Sequence, residues 1–378
     1  MLQNCWKKPG AFTLFLLHFE ARIGLHLYTK PLMSIVDIIE FKEGNMGSIR
    51  NVFRTGLAMM SAMTIGILMS GSAVAEKIVI ATGADPCFGT FYVPHAEGVF
   101  KEKGLDVELV TGSSGSRQVP FIISGDFHFA MGSGGACMKS HVLEPDMVAM
   151  FASGGRYKGY DGVVATQDIK GLKGLVGKKI GLALGTGSEV FFTTLAEKEG
   201  ISMDQFQTIN VEAPEMVAAL ERGDIDAYAA WEPWVSRGVQ AIKNTHVVLS
   251  SEGLWEPSNA ICGNKAWAEK NPEKAKLLFE AMAETSAKME NDKDWAAGVI
   301  SDVIKLDPEL SNSITKKCTF ITHLDQADID NMVNDYNNLV ARDAIAPNPT
   351  KEWWGNFLYD KALKAAAPAN VSYKMPGK

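Results

Sequence analysis

Between Lys178 and Trp234 the chain can fold in few ways. The stretch reads KKIGLALGTGSEVFFTTLAEKEG, and from Phe206 it continues FQTINVEAPEMVAALERGDIDAYAAWEPW. Two short apolar runs, Ile180–Leu184 and Ala227–Ala230, have the length and composition of buried strands. Between them Ser188–Lys198 and Pro214–Arg222 carry helical spacing, with Val217, Leu220 and Ala218 expected on one face. Strand, glycine turn, helix, strand, helix, strand is the order of a parallel α/β sheet. The turn Gly185-Thr186-Gly187-Ser188 falls where the first strand ends and the helix begins. Glycines allow close approach there, two hydroxyls are available, and free N–H groups open the helix, a combination suited to an anion. The plainer alternative is a tight turn with a helix cap. The turn is neither a phosphate-binding P-loop, whose spacing and Lys it lacks, nor a dinucleotide fingerprint, whose third glycine it lacks.

The rest of the chain repeats this grammar. Strands are expected at Lys77–Thr82, Leu105–Val110, Phe127–Met131 and Met147–Ala152, with a helix over Phe91–Lys103. Gly/Ser/Thr-rich loops follow the strand ends: Gly83–Thr90, Thr111–Ser116, Gly132–Gly135 and the turn above. Open α/β sheets bind ligands beyond the carboxyl ends of their strands, so four such loops predict one cleft. Residues 76–165 and 252–378 form one lobe and 166–251 a second, joined by two chain crossings. The helices Pro272–Glu290, Trp295–Ile304, Pro308–Lys316, Asp325–Arg342 and Lys351–Ala366 are expected on the first lobe.

Expected ligand contacts are Phe88 and Gly89 in the first loop, Ser113 and Ser114 in the second, and Ser133 and Gly134 in the third. Gly185, Thr186, Gly187 and Ser188 supply the fourth. Arg117 and Arg156 are the cations nearest the mouth and offer a two-bonded clamp for an acidic group, unless they are solvated surface charges. Trp231 closes one wall, Trp234 belongs to the core, and Glu232 either caps the next helix or faces the ligand. The histidines show no metal spacing, no Ser/His/Asp set is visible, and no cofactor is expected. A net charge of −7 over 378 residues gives no basic excess for nucleic acid.

Arg50 and Arg54, the apolar run 56–69 and Ala73-Val74-Ala75 read as a secretory signal over 46–75, cleaved to leave Glu76 first. Residues 1–45 then precede the true start. Of the cysteines, Cys87, Cys137, Cys262 and Cys318 lie beyond the signal. Four separate buried thiols is the plain expectation, and a Cys87–Cys137 disulfide is the alternative.

Specific motifs narrow the class. Glu221-Arg-Gly-Asp-Ile-Asp-Ala227 followed by Trp231-Glu-Pro-Trp234 resembles the ligand-binding components of ABC importers for nitrate, sulfonates and taurine. Gly98–Leu109, Gly125–Ala130 (with His128 in place of the usual acid) and Leu175–Gly181 extend the resemblance over roughly Lys77 to Asp360. It implies a two-lobe, type II periplasmic-binding-protein fold and a small anionic solute such as a sulfonate, taurine or nitrate. It also implies a monomer that serves an ABC permease in the inner membrane, without catalysis. The rival is a desulfinase-like enzyme of the same superfamily with Cys87 as nucleophile. The His expected beside Arg117 in such an enzyme is missing, as is the Cys-rich cluster of the thiamine-pyrimidine synthases.

Overall fold

A computed structural model describes residues 76–166, 168–254, 256–348 and 350–377. The expected over-extended start at 1–45 and signal at 46–75 lie outside them. Eleven strands make two sheets. β1 (Ile78–Gly83), β2 (Val107–Gly112), β3 (Phe129–Gly132), β4 (Val148–Tyr157), β10 (Ser258–Asn264) and β11 (Cys318–Thr319) form the first, in the order β11-β4-β10-β3-β1-β2. β5 (Asp161–Thr166), β6 (Lys179–Leu182), β7 (Gln207–Asn210), β8 (Ala227–Trp231) and β9 (Thr245–Ser250) form the second, in the order β7-β6-β8-β5-β9.

Parallel pairs arise where a helix connects the strands: β1 with β2 and β3, and β6 with β7 and β8. Antiparallel pairs arise where the chain changes lobes. β10 runs against both β3 and β4, and β5 against both β8 and β9. The two crossings are therefore 158–160 and 251–257. The first lies ahead of the boundary expected after residue 165, because Asp161–Thr166 already pairs within the second sheet.

The first lobe packs around Phe129, Phe151 and Phe279, whose rings meet edge-on and stacked at 5.2–5.9 Å. The carboxy-terminal helices join this core through Trp354, Phe357 and Leu363, all buried. Pattern and structure differ at three helices. The 91–103 segment is two pieces, Gly89–Ala96 and Val99–Glu102, because Gly98 adopts φ +76° between them. The terminal helix breaks into Lys351–Phe357 and Lys361–Ala366, where Tyr359 N–H donates to the Met150 carbonyl at 2.7 Å. On Ala213–Arg222 the buried face is Ala213, Met216, Ala219 and Leu220; Val217 is half-buried and Ala218 exposed. His128, at the position where the resembled pattern has an acid, accepts the Val79 N–H at its Nδ1, 3.0 Å away.

Neither cysteine expectation holds. Cys87 bonds to Cys318, with Cα atoms 5.5 Å apart and a sequence separation of 231. Cys137 is kept from Cys87 because its helix, Gly134–Leu143, packs on β10, where it meets Cys262. Both of these thiols are free and buried, and burial pushes the Cys262 thiol well up.

Candidate ligand-binding cleft

Strand ends from both sheets converge on one cleft of about 440 Å³, its solvent-facing part included. Each loop is fixed by local bonds. After β1, Asp85 caps the turn Pro86–Phe88 by accepting the Cys87 N–H at 2.9 Å. After β2, Ser114 caps Gly115–Gln118. Gly115 is obligatory there: a Cβ would lie 1.7 Å from the Met131 carbonyl oxygen, so any larger residue parts β3 from this loop. After β3, Ser133 caps Gly134–Leu143 and accepts from the Ser116 hydroxyl at 3.2 Å, while its own N–H donates to Ser116 Oγ at 2.9 Å. After β6, Thr186 accepts the Ser188 N–H and donates to the Ala183 carbonyl at 2.7 Å. Two helices of ten and twelve residues thus open at the cleft, where a helix start leaves N–H groups without intrahelical partners. Asp335 takes the Gly135 N–H, Ser133 that of Ala136 and Thr186 that of Ser188.

The fourteen expected contact residues divide evenly. Phe88, Ser113, Ser114, Ser133, Thr186, Gly187 and Trp231 line the cleft. The other seven do not. Gly89 is buried in its helix, where a Cβ would meet Phe320 and Ile300 within 3 Å, and Gly134 faces Met332 and Asp335. Gly185 takes φ +81° to make the turn. Ser188 points into the lobe, donating to the Ala229 carbonyl at 2.6 Å and accepting the Ala183 N–H at 3.2 Å. Ser188→Ala is therefore expected to cost about 1–2 kcal/mol of folding stability and to leave cleft affinity unchanged. Denaturant titration beside ligand titration checks this pair of outcomes.

The three charged candidates are committed elsewhere. Arg117 Nη2 sits 2.7 Å from Glu212. Arg156 bonds Asp325 and Asp328. His323, Asp325 and Asp328 lie close enough together to hold a cation, and the Arg156 guanidinium takes that place. Glu232 caps the helix Trp234–Ala241, accepting from Ser236 N–H and Oγ at 3.0 Å, and pairs with Lys317 at 2.7 Å. Trp234 is buried in the second lobe.

Three of these bonds cross the cleft. Arg117–Glu212, Lys317–Glu232 and Arg342–Glu189 at 3.2 Å each join the first lobe to the second. Ser113 Oγ adds a fourth polar tie, to Glu212 at 3.1 Å.

Sequence reasoning missed the hinge end of the cleft. Asp85, Tyr157, Asp161 and Asn259 line it beside Phe88 and Trp231. Tyr160 donates to Asp85 at 2.5 Å, and Tyr157 to Asn259 at 3.0 Å. Asp161 is 6% exposed, and its carboxylate has no hydrogen-bond or ion-pair partner among the described residues. Burial is the main cause that pushes Asp161 up to about 8, with the Asp85 and Glu232 charges adding to it. Burial likewise pushes Asp85 up to about 7, against the pull of its bonds from Tyr160 and Cys87. The one sequence signal was a charged residue opening the apolar run Gly162–Ala165.

Comparison with known proteins agrees with this arrangement. A family model described as NMT1/THI5 like matches residues 85–295. The taurine-binding periplasmic protein of Escherichia coli (strain K12) is 28% identical over 222 residues, which is 57% of this chain and 66% of that one. Two solved structures share the fold. The periplasmic aliphatic sulphonate binding protein SsuA of Escherichia coli has a TM-score of 0.62 at 14% identity, over 72% of this chain and 94% of its own. The alkanesulfonate-binding protein SsuA of Xanthomonas axonopodis pv. citri, bound to MOPS, has a TM-score of 0.62 at 15% identity, over 79% and 98%. Among the described residues no helix is long and apolar enough to cross a membrane.

Proposed function

Because the chain belongs to the NMT1/THI5-like family, we propose that it is the solute-binding component of an ABC importer. It is exported to the periplasm, acts as a monomer, closes its lobes on a small solute and presents that solute to an inner-membrane permease. The observation that carries this reading is the convergence of strand-end loops from both sheets on one cleft, bridged by three ion pairs. An acidic group on the solute, such as a sulfonate, fits against Ser133 and Thr186, where the two longer helices open. Backbone N–H and hydroxyl donors serve it there, since neither Arg117 nor Arg156 is free. Aromatic surface from Phe88, Tyr157 and Trp231 suits an organic body better than nitrate.

The enzyme alternative loses its nucleophile. A thiolate attacks and a disulfide sulfur does not, and Cys87 is bonded to Cys318. Binding without chemistry needs none of the missing groups.

The ion pairs give this reading a test. The Arg117–Glu212 and Arg342–Glu189 pairs are partly exposed and contribute about 0.2–1 kcal/mol each. In the third, Lys317 is partly exposed and Glu232 is buried with its own bonds from Ser236. Together they bias closure when ligand bridges the lobes. X-ray scattering is expected to show a smaller radius of gyration with saturating solute than without, and Glu212→Gln is expected to weaken binding by less than tenfold. A radius that does not change on binding overturns the closing-cleft reading.

A further inference from the structure

We propose that the solute of this cleft carries a positively charged nitrogen, which docks against Asp85 and Asp161. The inference rests on the cleft being the solute site and adds the chemical class of what enters it.

Buried carboxylates are normally paired or hydrogen-bonded, since an unpaired charge out of water is costly. Asp161 is neither, although it is buried and lines the cavity. Asp85 uses Oδ1 for the Cys87 N–H and the Tyr160 hydroxyl, and no bond is made to its Oδ2. Among the described residues no cation serves the pair. Lys317 is held by Glu232, Arg117 by Glu212, and Arg156 by Asp325 and Asp328. Two carboxyl groups therefore face one cavity with no cation beside them; burial makes them hold their protons, and a cationic ligand is what can let them ionise.

The walls fit the same guest. Phe88, Tyr157 and Trp231 present aromatic surface beside the carboxylates, and ring faces attract alkylammonium and planar cationic groups alike. Asn259 Nδ2 is buried with no acceptor among the described residues, a donor left over for the uncharged part of the solute. An acidic group at the helix starts and an ammonium at the carboxylates together describe an aminated acid. A purely anionic sulfonate or carboxylate could be met only by the protonated carboxyls and would hold them so, whereas an ammonium lets them ionise and pairs with the charge.

The experiment uses matched probes that differ in the nitrogen alone: taurine against ethanesulfonate, 4-aminobutyrate against butyrate, and benzylammonium against benzyl alcohol. Each is titrated by calorimetry into the full chain and into D161N. That variant is nearly isosteric and breaks no bond in the protein; circular dichroism verifies its fold. The expected result is an aminated probe that binds at least tenfold tighter than its partner, with the gap closing in D161N. Tighter binding of the deaminated partners, or a gap that survives in D161N, overturns the inference and leaves the cleft reading standing. If no probe of either kind binds and the radius of gyration never changes, both fail.

Discussion

Serine at both Cys87 and Cys318 is expected to lower the unfolding free energy by about 4 kcal/mol. The bond closes a loop that spans 231 positions, and tying so long a segment removes much of the freedom of the unfolded chain. It also ties the turn Pro86–Phe88 to β11 at the edge of the first sheet. Denaturant titration of oxidised protein gives the size of the loss. A reductant should reproduce it in the native sequence and do nothing to the double variant. A midpoint equal to that of the native chain would show that the bond does not stabilise the fold.

Asp161→Asn is expected to stabilise the ligand-free protein at high pH and not at low pH. The carboxyl titrates near 8 in the fold, while its ordinary value is 3.8. The native state thus binds this proton more tightly than the unfolded state does. Its contribution is fully present below about pH 4 and is lost as pH rises towards 8. Asp85, Glu232 and Tyr157 are the titratable groups that interact with it, and Asp85, pushed up to about 7, loses its contribution in the same direction. Asparagine carries no charge to desolvate. The variant should therefore match the native chain near pH 4 and exceed it by about 2–5 kcal/mol near pH 9. That corresponds to a Tm difference of about 3–8 °C. His128 and His141, both lowered chiefly by burial, titrate equally in the two proteins and cancel in the comparison. Equal melting temperatures at both pH values would mean that Asp161 is solvated and carries no excess charge cost.

What could be read from the sequence was what is local. A glycine turn after an apolar run, with a hydroxyl residue opening the helix, marks a strand end within five or six residues. The loops at Ser114, Ser133 and Thr186 were found in that way, and the structure brings all three to the cleft. Side-chain direction was not readable, because Thr186 and Ser188 carry the same chemistry two positions apart and only one faces the cavity. Nor was long-range pairing. Arg117 looks free until Glu212 arrives from the other lobe, 95 positions on, and Cys87 finds its partner across most of the chain. The two carboxylates escaped for the same reason. Asp85 is an ordinary cap before Pro86 and Asp161 an ordinary first residue of a strand; their shared cavity exists only once the hinge is built.

Lys317 and Cys318 are neighbours in sequence with partners on opposite business. The lysine reaches Glu232 in the second lobe, and the cysteine holds the loop that carries Asp85 and Phe88. A single peptide unit therefore stands between the grip on the solute and the grip between the lobes. Displacing the first loop pulls on the strand that positions the lysine, and a swing of the second lobe tugs the same strand from the other side. The contact with the second lobe and the anchor of the first loop are thus adjacent in the chain, and a shift at either is expected at the other.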